Sequence, residues 1–338
     1  MAFFLLHAAL LGCSDFYMPI NGTSFRISVR TMDMQVDGGW NISLLPRGRH
    51  SSSVTPPDGS AAARWVSAYG YAGFSAPSQG FPASDAIGEG MNEKGLSCGA
   101  LALTITRMPP PSPTLPNVHV RDVCRWVLES FATVDEAKAE LPKVAIWGAG
   151  PDVALTHWVV RDASGASLVL EFPDGTLHAH DDPNDGVRGW GIMTNEPPFE
   201  YHLAAAVHLG WKRTLARQAV PVPGSWYPEE RFLRVLMVKE TMQPPASTQQ
   251  AVAQAVGVLN TVTVPMGAPP GTDSDADGAD HSLFGVVRDH ASSILYWRSA
   301  ANPSLQRLRL ADVDFSPGAP VRSIAVDGGL WFRDASFS

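Results

Sequence analysis

Apolar and polar residues alternate toward both ends of the chain, and the spacing opens to threes and fours through the middle and the late centre. Phe25, Ile27 and Val29 alternate with Arg26, Ser28 and Arg30, the period of a half-buried strand that starts after the Asn21-Gly22 turn signal. Cys13 to Ile20 is its expected hairpin partner. The pattern predicts further strands from about Trp65 to Tyr71 and from Leu96 to Thr104, the second reached through a glycine-flanked loop, Met91 to Gly95. The proline-rich stretch Met108 to Pro116 is a connector.

Val120, Val123, Val127 and Phe131 then fall at helical spacing, and Thr133-Val134-Asp135-Glu136 reads as a capping box that opens a second helix. Strands return at Leu155 to Arg161, Ser167 to Glu171 and Thr176 to Ala179, divided by turns at Ser164-Gly165 and Asp174-Gly175. Helical patterns recur at Pro228 to Met242 and Ser247 to Leu259, and the tail from Leu283 is strand-like again, as in Ser293 to Trp297. This order suits antiparallel sheets covered by helices on their outer faces, an α+β sandwich of layers. Nothing from Pro265 to Asp280 can pack, so a long surface loop is expected there. Asp273, Asp275, Asp277 and Gly278 copy the first half of an EF-hand loop, but its twelfth position is Phe284 instead of a bidentate glutamate, which leaves a solvated acidic turn.

Composition narrows the class. With 45% hydrophobic and 17% charged residues in 338, the chain can bury a substantial core and resembles neither a disordered segment nor a membrane bundle, so no membrane span is expected. A net charge of -8 offers no basic field for phosphates, which argues against nucleic acid as a partner. Three cysteines, Cys13, Cys98 and Cys124, leave at least one thiol unpaired, and Cys98 and Cys124 are expected to pack as small apolar side chains on a strand and a helix. Neither a CxxC pair nor an HExxH run occurs, so no metal and no cofactor is expected.

Residues 1–12 form an apolar run too short to span a bilayer and read as a removable leader or propeptide, which leaves 13–338 as a single domain. The leader leans the chain toward export, periplasmic or extracellular, with a cytoplasmic location as the alternative. Leu10-Leu11-Gly12-Cys13 also resembles a lipoprotein cleavage box, so a lipid-anchored or secreted binding protein stands as the alternative to an enzyme. Loss of the leader would make Cys13 the first residue and give it its own base. An α-amino group has a pKa of about 7.7–8.0 and would be tethered by two carbons to a thiol of about 8.5, a pair able to attack an amide.

Taken singly, Arg30 and Asp33 read as a surface ion pair, Arg231 as an exposed helix residue and Asn195 as a turn residue. The order and spacing of Cys13, Arg30-Thr31-Met32-Asp33, Asn92-Glu93-Lys94-Gly95-Leu96, Met193-Thr194-Asn195-Glu196-Pro197-Pro198-Phe199 and Glu230-Arg231-Phe232 nevertheless resemble the choloylglycine hydrolase family. That family includes bile salt hydrolases and penicillin V acylases. The resemblance runs on through Leu45-Pro46-Arg47-Gly48 and Thr156-His157-Trp158 and covers nearly everything after Gly12. It implies a four-layer αββα N-terminal-nucleophile fold, hydrolysis of the linear amide bond of a small N-acyl compound through a thioester on Cys13, and a homotetramer. It further implies that Arg30 favours the thiolate, that Asp33 orients the α-amino group, that Asn195 and the backbone N–H of Ala102 hold the oxyanion, and that Arg231 supports the local charge.

Asn92 is read as structural. A continuous strand would turn Arg30 and Asp33 to opposite faces, so the strand is expected to end or bulge between them. Ala102 departs from the asparagine or aromatic residue usual in the family, which leaves the pocket wall and substrate choice open. The acyl group is expected against loops after the second strand and around Met91 to Thr104.

Overall fold

The computed structural model describes residues 12–19, 24–34, 39–76, 87–148, 155–185, 188–216, 221–266, 281–332 and 334, with 211–216 described by backbone alone. The leader up to residue 11, the Asn21 turn and the acidic stretch 267–280 lie outside these residues. The first strands are β1 (Ser14–Tyr17), β2 (Ile27–Met34), β3 (Asn41–Leu45), β4 (His50–Ser52), β5 (Arg64–Val66), β6 (Tyr71–Ser75), β7 (Glu89–Asn92), β8 (Ser97–Ala102) and β9 (Asn117–His119). Helices α1 (Val123–Ser130) and α2 (Val134–Glu140) follow, then β10 (Ala145–Trp147), β11 (Thr156–Arg161), β12 (Ser167–Glu171), β13 (His178–Asp181) and β14 (Ile192–Met193). Helices α3 (Phe199–Ala216), α4 (Pro228–Thr241) and α5 (Thr248–Val262) precede β15 (His281–Asp289), β16 (Ile294–Ser299), β17 (Gln306–Arg309) and β18 (Arg322–Ala325).

Two sheets dominate, six strands in the order β14-β1-β2-β15-β16-β17 and eight in the order β13-β12-β11-β8-β7-β6-β3-β18. Each pairing within them is antiparallel. The period-2 pattern decides which face each residue serves. Phe16, Ile27, Val29 and Val287 of the first sheet pack with Phe232 and Val235 of α4 and with Val252 and Leu259 of α5. Cys98, Trp158, Val160 and Leu168 of the second sheet pack with Val123 and Val127 of α1 and with Val134 of α2. Between the sheets, Met32, Phe284 and Val286 meet Phe74, Met91, Leu101 and Val159. Each such fully buried large apolar side chain contributes about 1.5–3 kcal/mol relative to exposure. The result is the four-layer αββα α+β sandwich that the family resemblance implies.

Local signals hold where they were strong. The Thr133 hydroxyl accepts from the Glu136 N–H at 3.1 Å and the Glu136 carboxylate accepts from the Ala132 N–H at 2.7 Å, so the capping box closes the start of α2. Asn92 is structural: its amide donates to the carbonyls of Leu128 and Phe131, and its oxygen accepts from the N–H groups of Lys94 and Leu96, which ties the β7–β8 turn to α1.

Three expectations change. The stretch Trp65 to Tyr71 is two strands, because the chain turns between Val66 and Tyr71 and the two pair in different sheets. Helix α3 carries no sharp amphipathic stripe, since Tyr201 and Val207 are exposed apolar residues on it, and it escaped the periodicity reading. Cys98 and Cys124 are joined as a disulfide, bringing central strand β8 and helix α1 into one covalent unit and leaving Cys13 as the free cysteine. The bond closes a chain separation of 26 residues. Replacing both cysteines by alanine is expected to lower the unfolding free energy by about 3 kcal/mol, read from urea titrations of the variant against the oxidised parent.

Candidate active site

Cys13 sits immediately ahead of β1. The register that places Ser14 opposite Thr31 carries Cys13 to the level of Met32, and the two sulfurs lie 3.8 Å apart. The thiol points between the sheets, into the cluster that holds Met32, Leu101 and Phe284. Arg30 is on the same face of β2, and its Nη2 donates to Cys13 Sγ at 3.7 Å and to the carbonyl of Ala100. Its Nε lies 3.4 Å from the Glu89 carboxylate. That carboxylate is already gripped by Arg288 through both oxygens, and neither Nε nor Nη1 of Arg30 has a hydrogen-bond partner among the described residues. The Arg30 charge is thus only partly engaged by its neighbours. Gly99 makes room for this layer: a Cβ there would come within 2.7 Å of Arg30 Nη1.

Asp33 lies on the opposite face, where the expected break in β2 does not occur. The strand runs unbroken from Ile27 to Met34, and the irregularity is in its partner β15, where Leu283 is the extra residue between Ser282, opposite Asp33, and Phe284, opposite Met32. No break is needed because Cys13 precedes the paired strand and is flanked from both faces. On the helix side the Thr31 hydroxyl accepts from the Ser14 N–H at 2.9 Å and donates to Asp33 Oδ2 at 3.1 Å. Ser282 Oγ donates to Asp33 Oδ1 at 2.5 Å.

Arg231, on the first turn of α4, is the hub. Its Nη1 donates to the Cys13 carbonyl at 2.8 Å and to Ser14 Oγ at 2.6 Å and lies 3.9 Å from Asp33 Oδ2, while its Nη2 donates to Asn195 Oδ1 at 3.0 Å. The amide nitrogen of Asn195 donates to the Ala102 carbonyl at 2.8 Å. Next to it, Glu196 Oε1 accepts from the Thr104 N–H at 2.6 Å, so the turn between β14 and α3 is pinned to the end of β8. All six residues singled out in the sequence, Cys13, Arg30, Asp33, Ala102, Asn195 and Arg231, converge here.

Burial is the largest influence on the Cys13 thiol and pushes its pKa up; Arg30, an N–H of Asp33 and Arg231 pull down, and the Asp33 carboxylate adds to the rise. Burial likewise raises the Asp33 carboxyl, opposed chiefly by Arg231. Cys13 is only 6% exposed, and Gly12, still joined to it, lies against the side chain of Asn195.

Sequence reasoning missed Thr31, Ser282, Glu89 and Arg288. Thr31 stood inside a matched motif and could have been noticed. Glu89 and Arg288 gave no signal, because an ionic residue at an inward strand position reads as the polar half of an ordinary alternation.

The chain belongs to the choloylglycine hydrolase family of linear amide C–N hydrolases, whose profile matches residues 21–321. It is similar to the penicillin V acylase of Pectobacterium atrosepticum, with 26% identity over 92% of this chain and 84% of that protein. A bile salt hydrolase/transferase of Clostridium perfringens is 26% identical over 56% of this chain and 63% of its own. Among solved structures, a penicillin V acylase from Agrobacterium tumefaciens superposes with a TM-score of 0.76 at 25% identity, covering 93% of this chain and 91% of that one.

Proposed function

We propose that the protein hydrolyses the amide bond of small N-acyl compounds through Cys13, made N-terminal by removal of residues 1–12. The observation that carries this reading is the arrangement around Cys13: a partly engaged arginine on its thiol, and a buried aspartate and an asparagine carboxamide joined to it through Arg231. A buried thiol needs a base to take its proton, and a freed α-amino group supplies one on the same residue. Arg30 stabilises the thiolate, and Asp33, fixed by Ser282, Thr31 and Arg231, orients the amine. Asn195 Nδ2 and the Ala102 N–H receive the oxyanion. The amine then protonates the leaving nitrogen, and water activated by the same amine hydrolyses the thioester.

The similarity to penicillin V acylases over most of the chain favours an apolar acyl group on a small amine-bearing leaving group. Export suits the Cys98–Cys124 bond, since disulfides persist in oxidising compartments.

The test joins two measurements on the mature protein: the intact mass of its N-terminus, and hydrolysis of penicillin V, glycocholate and a long-chain acyl-homoserine lactone. A free Cys13 with turnover of at least one compound is expected. A diacylglyceryl adduct, or a retained leader without turnover, replaces this reading with the binding-protein alternative.

A further inference from the structure

Gly12 lies directly on the carboxamide of Asn195: a Cβ added to it would come within 2.5 Å of both Cγ and Nδ2, closer than real side-chain carbons approach such atoms. Asn195 cannot yield. It is fully buried, its oxygen is held by Arg231 Nη2 at 3.0 Å and its nitrogen by the Ala102 carbonyl at 2.8 Å, so turning it away breaks both bonds and strands a buried guanidinium N–H. The Gly12 backbone is outside the left-handed region, so the demand at this position is for space and not for an unusual φ.

From this contact we propose that Gly12 is a specificity-determining residue of the cleavage that frees Cys13, because only a residue without a Cβ can seat the Gly12–Cys13 peptide beside Asn195. The inference rests on the proposed N-terminal nucleophile and adds the sequence requirement for making it. In the step concerned, Cys13 Sγ attacks the Gly12 carbonyl carbon, a C–S bond forms and the C–N bond breaks. The thiol proton passes to the departing Cys13 nitrogen, which becomes the amine. Water then adds to the thioester, releasing the leader with a Gly12 carboxyl group and restoring the thiol. Asn195 therefore serves twice, first on the chain's own peptide bond and afterwards on substrate. Until the leader departs, Gly12 covers the carboxamide, so the uncleaved chain is also blocked as an enzyme.

The test follows leader loss by intact mass in refolded, purified full-length chains. Gly12→Ala is expected to cleave slower than the parent by about 10²-fold or more, the loss seen when an oxyanion donor cannot reach its target, whereas Leu11→Ala cleaves at the parent rate. In an Asn195→Ala background, where the obstructing carboxamide is gone, Gly12→Ala should add no further loss. Parent-rate cleavage of Gly12→Ala, or a loss that simply adds to that of Asn195→Ala, overturns the proposal. A chain starting Met-Cys13, matured by methionine aminopeptidase, separates the two claims. If its free Cys13 hydrolyses none of the three amides, the enzyme reading fails, while the Gly12 requirement is still judged from mass alone.

Discussion

Cys13→Ser should retain residues 1–12 and lose turnover by about 10³-fold or more, the scale on which removal of a nucleophile acts. The substitution keeps shape and volume, so the packing against Met32 and Leu101 changes little and the melting temperature should move by only a few degrees. What changes is ionisation. Burial already pushes the thiol up against the pull of Arg30, and a hydroxyl starts far higher, beyond the reach of one neighbouring guanidinium. Intact mass and initial rates on the hydrolysed amide decide the matter, and full activity of Cys13→Ser would remove the residue from the mechanism.

Asn195→Ala in a chain matured through Met-Cys13 should lower kcat by about 10²–10³-fold with a much smaller change in KM, because an oxyanion donor acts mainly in the transition state. Two bonds are lost with the carboxamide, those to Arg231 and to Ala102, so a stability loss of about 1–3 kcal/mol is also expected from unsatisfied buried groups. Alkylation of Cys13 by iodoacetamide separates the roles. If the variant's thiol reacts at the parent rate while turnover falls, Asn195 acts on the carbonyl; if both fall together, it only holds the site in shape.

Much of the framework was legible because it is written in local periodicity. The β1–β2 hairpin, β8, β11, β12, α1, α2, α4 and α5 follow from alternation, helical spacing and caps that neighbouring residues set among themselves. Helix α3 was not legible, since apolar residues lie on more than one side of it and no single stripe emerges. The disulfide was hidden for a different reason. Cys98 and Cys124 are each well placed to be core residues, and only the docking of α1 on β8 brings their sulfurs together.

The site divides in the same way. By itself the sequence offered the six residues through the resemblance of their order and spacing to the family's motifs, since singly Arg30 and Asp33 read as an ordinary ion pair, Arg231 as a helix residue and Asn195 as a turn residue. Only the tertiary structure decided how they meet. The pleat of β2 sends Arg30 to the thiol from between the sheets and Asp33 to the helix side, where Arg231 gathers Cys13, Ser14 and Asn195 from three separate stretches of chain. Contacts over such separations, like the grip of Arg288 on Glu89 or the close approach of Gly12 to Asn195, depend on how whole layers stack, and no short-range pattern of residue types encodes that stacking.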